Sequence, residues 1–88
     1  RVVNVARGSL MEEEALIDLL QSGGLAGAAL DVFASEPAVG DAIRALPNTV
    51  LSPHMGSRTY EAREAMDALV VENLRAHFEG RTPPNLVP

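Results

Sequence analysis

The chain has 88 residues, 47% hydrophobic and 22% charged, with a formal net charge of −5. That balance describes a globular domain rather than a disordered segment. All seven basic residues are arginine, none forms a stripe, there is no cysteine, and no apolar run nears the roughly 20 residues of a membrane span. Phosphate-backbone binding, a disulfide framework, a thiolate metal site and a membrane helix are therefore all disfavoured. Nothing argues for export, so the cytoplasm is the expected location. A chain this short hides only about 60% of its extended surface. With Phe33, Tyr60 and Phe78 as its only aromatics, its core must be built from Ala, Val and Leu. The chain opens at Arg1 and runs directly into apolar sequence, which reads as the interior of a longer protein.

Residues 2–6 are mostly β-branched and predict a buried strand ended by Arg7 and Gly8. Ser9 with Glu12 forms a capping-box pattern, and Glu12, Glu13 and Glu14 suit a helix's first turn. Ala15, Leu16, Leu19 and Leu20 recur at helical spacing, and Gly23-Gly24 stops the helix. Residues 25–32 predict a second strand, 33–37 a loop, 41–46 a short helical turn and 49–52 a third strand ended by Pro53. Ser57 or Thr59 caps a last helix reaching about Glu79, with Ala62, Met66, Leu69, Val70, Leu74 and Phe78 as its apolar stripe. The order βα-βα-β-α implies a parallel α/β sheet.

In such sheets ligands bind beyond the carboxyl ends of the strands. Arg7 and Gly8 follow the first strand, Asp31 ends the second with Glu36 soon after, and His54 follows the third. Each has a plain reading too: Arg7 as a solvated cation, Asp31 as a turn cap, Glu36 as a surface acid, His54 as a structural histidine. Together they suit one chemistry. A His beside a carboxylate can act as general acid, and an Arg can grip a carboxylate with two parallel hydrogen bonds. Gly8 would let backbone approach a ligand closely. There is no His pair at i, i+4 and no G-x-S-x-G elbow, so a metal site or a Ser nucleophile is the weaker reading. His77, near the end of the last helix, reads as helix-end stabilisation.

The chain resembles the D-isomer-specific 2-hydroxyacid dehydrogenases along nearly its whole length. The likeness is carried by Val3-Asn4-Val5-Ala6-Arg7-Gly8-Ser9, Glu14-Ala15-Leu16, Gly27-Ala28-Ala29-Leu30-Asp31-Val32-Phe33 and Glu36-Pro37. It continues through Leu46-Pro47-Asn48, Pro53-His54-Met55-Gly56-Ser57 and Glu72-Asn73-Leu74, in order and at matching spacing. The resemblance implies a hydride transfer between NAD or NADP and a small 2-hydroxy or 2-keto acid. It implies a catalytic set in which Arg7 binds the substrate carboxylate, Glu36 orients the histidine and His54 donates the proton. It implies that Asp31 meets the nicotinamide carboxamide. It also implies that Val5, Ala6 and Arg7, with His54, Met55, Gly56 and Ser57, line the cofactor.

The same resemblance implies an incomplete Rossmann-type half domain. Residues 1–56 would be the C-terminal half of the dinucleotide-binding domain, 57–80 an interdomain crossover helix, and 81–88 a tail returning to a substrate domain. A homodimeric parent follows from it. Gly56-Ser57 and Ala65-Met66 lean toward the glyoxylate/hydroxypyruvate reductase branch, whereas Arg58 stands where a smaller residue is usual. The chain has no G-x-G-x-x-G phosphate loop and no residue that would choose between NAD and NADP. The isolated chain is therefore expected to be inactive. The alternatives are a corepressor-like relative acting by partner binding, and an inert truncated product exposing apolar faces.

Overall fold

The computed structural model describes all 88 residues. Its elements are β1 (Val2–Asn4), a 3-10 turn (Gly8–Leu10), α1 (Glu13–Gln21), β2 (Ala28–Leu30), α2 (Asp41–Arg44), β3 (Thr49–Leu51) and α3 (Tyr60–Phe78). The chain divides into two compact units, Arg1–Gly56 and Ser57–Pro88.

The first unit is a three-stranded parallel sheet in the order β1-β2-β3. Val2 pairs with Ala28 and Ala28 with Thr49; Asn4 pairs with Leu30 and Leu30 with Leu51. Side chains alternate between faces along a strand. Ala28 and Leu30 accordingly join Leu16 and Leu20 of α1, Ile43 of α2 and Phe33 in one core. The intervening row, Val3, Ala29 and Val50, faces the other way, and Val3 and Val50 are 68% and 72% exposed.

Several boundaries differ from the sequence reading. The first strand stops at Asn4 rather than running through Ala6. The Asn4 side chain accepts from the Ala6 N–H (3.1 Å) and donates to the Arg7 carbonyl (2.9 Å), which turns the chain out of the sheet. The capping box of Ser9 and Glu12 does not form. Ser9 lies inside the 3-10 turn, and α1 begins after Glu12 with no side-chain cap. Of the four positions the sequence reading singled out on α1, Leu16 and Leu20 are buried while Ala15 and Leu19 face solvent, and Ile17 packs half-buried against the core. That narrow stripe suffices for a helix that touches the sheet on one side. Gly23 adopts a left-handed φ of 77°, and the Leu25 amide closes the helix end on the Leu19 carbonyl (2.9 Å).

In the second unit, α3 has 19 residues, about 28 Å at 1.5 Å per residue. Thr59 is its cap, accepting from the Ala62 amide (3.1 Å). Most of the apolar stripe read from the sequence is exposed: Met66, Leu69, Val70, Leu74 and Phe78 are each at least half accessible, and Ala76 alone is buried. The chain then folds back along α3. Asn73 donates to the Asn85 side chain and accepts from the Asn85 amide (both 3.1 Å), while Arg81 reaches Glu79 and Glu72. No helix is long and apolar enough to cross a membrane.

Ile43 is the one large side chain with no exposure, at the point where α2 meets the sheet. Ile43→Ala is expected to lower unfolding free energy by about 2–5 kcal/mol through the cavity it leaves. Paired urea titrations followed by circular dichroism would measure the loss.

Candidate active site

All the candidate residues of the first unit lie beyond the carboxyl ends of its three strands, where a parallel sheet presents its ligand edge. After β1, the Asn4 turn carries Val5, Ala6 and Arg7 outward, all three exposed. The Arg7 guanidinium donates to the Ala6 carbonyl (2.6 Å) and has no carboxylate partner. Most of its five donors therefore stay available to an incoming anion. Gly8 follows under a severe steric limit. A Cβ there would lie 2.1 Å from the Phe33 carbonyl carbon and oxygen and 2.7 Å from the Ala34 nitrogen. Gly8 thus permits a close approach to the chain's own loop.

After β2, Asp31 is buried, and its carboxylate is turned onto the chain. Oδ1 accepts from the Ser52 hydroxyl (2.5 Å) and the Met55 amide (2.8 Å), and Oδ2 accepts from the Gly56 amide (3.0 Å). These bonds hold the loop after β3 in shape. Within that loop His54 adopts a left-handed φ of 52°, a conformation that costs a non-glycine residue about 1–3 kcal/mol unless its surroundings impose it. Here the next two amides are both fixed on Asp31, and the His54 amide itself bonds the Ser52 carbonyl (3.1 Å).

The consequence is a histidine aimed at an acid. His54 Nδ1 lies 2.7 Å from Glu36 Oε2, while Glu36 Oε1 accepts from the Phe33 amide (2.9 Å). Glu36 therefore has one oxygen committed to its own loop and one to the imidazole. With Nδ1 on the carboxylate, the ring carries its proton there, and Nε2 has no hydrogen-bond partner in the fold. A cavity of about 210 Å³ opens beside the pair, walled by Phe33, Pro37, Val39 and Pro53. Ser57 opens the second unit.

Both acids are held below their ordinary range. For Asp31 the main cause is the Met55 amide, then the Ser52 hydroxyl, with the Gly56 amide and the His54 charge adding to it and burial opposing. For Glu36 it is the hydrogen bond with His54, then the Phe33 amide, with the charges of His54 and Arg7 adding and desolvation opposing. Sequence reasoning missed Ser52, and it gave Asn4 no role although an Asn at a strand end is a known turn former. Ser52 had no such local signal, because its partner is 21 residues away.

The pH dependence follows in sign. A carboxyl with a depressed pKa in the fold adds stability above its unfolded value, near 4, and loses it as pH falls toward the folded value. Stability should be level above about pH 5 and decline below about pH 4. Asp31→Asn should lower stability at neutral pH and flatten the acid slope. Urea midpoints taken between about pH 2 and pH 7 on both proteins would check this.

Comparison with known proteins gives this edge its setting. Residues 1–56 match the family model described as D-isomer specific 2-hydroxyacid dehydrogenase, NAD binding domain. A glyoxylate reductase of Pyrococcus furiosus is 51% identical over 86 residues, covering 98% of this chain and 26% of that protein. Among solved structures, an NADPH-dependent glyoxylate/hydroxypyruvate reductase from Sinorhizobium meliloti, in complex with NADP and malonate, is 50% identical. It superposes with a TM-score of 0.85 over 88% of this chain and 24% of its own. A 2-hydroxyacid dehydrogenase from Ketogulonicigenium vulgare Y25 is 46% identical with a TM-score of 0.92, over 98% of this chain and 27% of its own. The chain spans about a quarter of the length of these relatives.

Proposed function

The chain belongs to the D-isomer-specific 2-hydroxyacid dehydrogenase family, as a Rossmann-type piece of its NAD-binding domain, and from that premise we propose that it forms one wall of the active site of an NAD(P)-dependent reductase of small 2-keto acids. The observation that carries the reading is the His54–Glu36 pair at 2.7 Å, with the far oxygen of Glu36 anchored on the Phe33 amide. A histidine fixed at Nδ1 in this way presents Nε2 as a general acid. Glyoxylate is the first substrate to test, because the most similar relatives described above reduce it.

In this reading Arg7 binds the substrate carboxylate with paired hydrogen bonds and draws electron density from the adjoining keto group. His54 delivers the proton to the carbonyl oxygen from Nε2. Glu36 is a positioning residue: it holds the ring and stabilises the imidazolium before transfer. The nicotinamide supplies hydride to the keto carbon when bound.

The residues present fit such a ring. Val5 and Ala6 offer exposed, uncharged surface, and Asp31 Oδ2, with one bond from Gly56, keeps a lone pair for a carboxamide N–H. His54, Met55, Gly56 and Ser57 supply backbone on the same stretch. The G-x-G-x-x-G phosphate loop is not part of this sequence, so the 88-residue chain alone would be inactive. Residues 57–80 then serve as an interdomain helix and 81–88 as the tail toward the substrate domain. The whole enzyme is read as a cytoplasmic homodimer.

The test replaces the matching segment of the Pyrococcus furiosus glyoxylate reductase with this chain. We expect the chimaera to oxidise NADH or NADPH in the presence of glyoxylate. His54→Asn, chosen because Asn tolerates a left-handed φ, should reduce kcat by about 10²–10⁴-fold. Unchanged turnover in that variant would sink the proton-donor role, and glyoxylate reduction by the isolated 88-residue chain would refute its being only one wall.

A further inference from the structure

We propose that Glu13 is a positioning residue of this site, acting on the His54–Glu36 pair through the backbone of the loop that carries Glu36. The proposal rests on the dehydrogenase reading above for its kinetic consequence, but the contact itself does not.

Three adjacent glutamates open α1, and all three have the charge that a helix N-terminus favours. They are not equivalent. Glu12 and Glu14 are exposed and make no side-chain hydrogen bond, whereas Glu13 is half-buried, with Oε2 accepting from the Ala34 amide at 3.1 Å, 21 residues away. Ala34 lies between two residues that matter directly. The Phe33 amide holds Glu36 Oε1, and Glu36 Oε2 holds His54.

The loop has no regular partner strand, so its course depends on few contacts. The Gly8 backbone bars it on one side, at Phe33 and Ala34. The Glu36 carboxylate folds it from within, at Phe33. Phe33 anchors it in the core, and Glu13 adds a grip at Ala34, from a helix rooted in the same core by Leu16 and Leu20. If that grip is released, the Ala34 amide loses its one side-chain acceptor and the peptide is held only by Gly8 packing and the Phe33 anchor. The Phe33 amide that aims Glu36 is one residue away, and small displacements of a proton donor's support are costly to turnover. Substrate binding through Arg7 lies on a different turn, shaped by Asn4, and should be spared.

Two arms test this. In the chimaeric reductase, Glu13→Ala should lower kcat about tenfold or more while KM for glyoxylate stays within about twofold. Glu13→Gln keeps an acceptor oxygen and should restore most of the rate. Glu14→Ala removes the same charge from the same helix turn and should behave as the parent. The second arm needs no turnover: in the ¹⁵N-labelled 88-residue chain, hydrogen exchange at the Ala34 amide should accelerate in Glu13→Ala but not in Glu13→Gln or Glu14→Ala. Equal effects of Glu13→Ala and Glu14→Ala would assign the result to the helix dipole and overturn the proposal. Unchanged Ala34 exchange in Glu13→Ala, or a Gln variant as slow as the Ala variant, would also overturn it. An inactive unsubstituted chimaera would count against the dehydrogenase reading, while the exchange arm would still decide the contact.

Discussion

Everything at the sheet's ligand edge depends on where Asp31 spends its hydrogen bonds. Its amide donates to the Asn4 carbonyl at the end of β1 (3.0 Å), and its carboxylate takes the Ser52 hydroxyl and the Met55 and Gly56 amides beyond β3. One residue at the end of the central strand thus ties together the ends of all three. A buried carboxylate left without donors would be costly, and here three donors converge on it. The left-handed turn at His54 is sustained by the same three bonds, so the aim of the imidazole is inherited from Asp31 before Glu36 meets it.

The two site carboxylates show how surroundings divide labour between like groups. Asp31 faces inward, and its bonds are to the chain's own donors. Glu36 sits farther out, with its side chain a third exposed, one oxygen on Phe33 and one on a titratable ring. The first acts as a structural tie and the second can respond to protonation. Both are depressed mainly by hydrogen bonds rather than by distant charge. Charge adds a smaller share, from His54 and, for Glu36, Arg7.

Much of this was legible in the amino-acid order because parallel α/β units are written locally. Short β-branched runs, a helix stop at Gly23 and acids in a first helical turn reveal β1, α1 and their order without tertiary knowledge. The residue types after each strand disclosed Arg7, Asp31, Glu36 and His54 for the same reason. Boundaries were less legible. Asn4 turns the chain earlier than the run of valines implies, and Ser9 is drawn into a 3-10 turn instead of capping α1. Partnerships over long separations were not legible at all. Nothing beside Ser52 or Glu13 in sequence marks a contact with Asp31 or Ala34. The periodic stripe of α3 was legible as amphipathicity, but its exposure was not, because periodicity does not record what lies against a helix.

The side-chain bonds that build this edge close loops of similar size: His54 to Glu36 spans 18 residues, Ser52 to Asp31 and Glu13 to Ala34 span 21, and Met55 and Gly56 reach Asp31 over 24 and 25. Closure entropy grows only with the logarithm of loop length, so these closures differ by about 0.3 kcal/mol. No bond in the set must wait for a far more expensive one. Lengthening the connection between Pro37 and α2 would add little by the same law. An insertion between Phe33 and Glu36 would break a bond that spans three residues. The edge is therefore one contiguous block of chain, tolerant of length change in one connection and intolerant in the other. Such a block can be transferred between proteins whole, without requiring remote segments to adapt in concert.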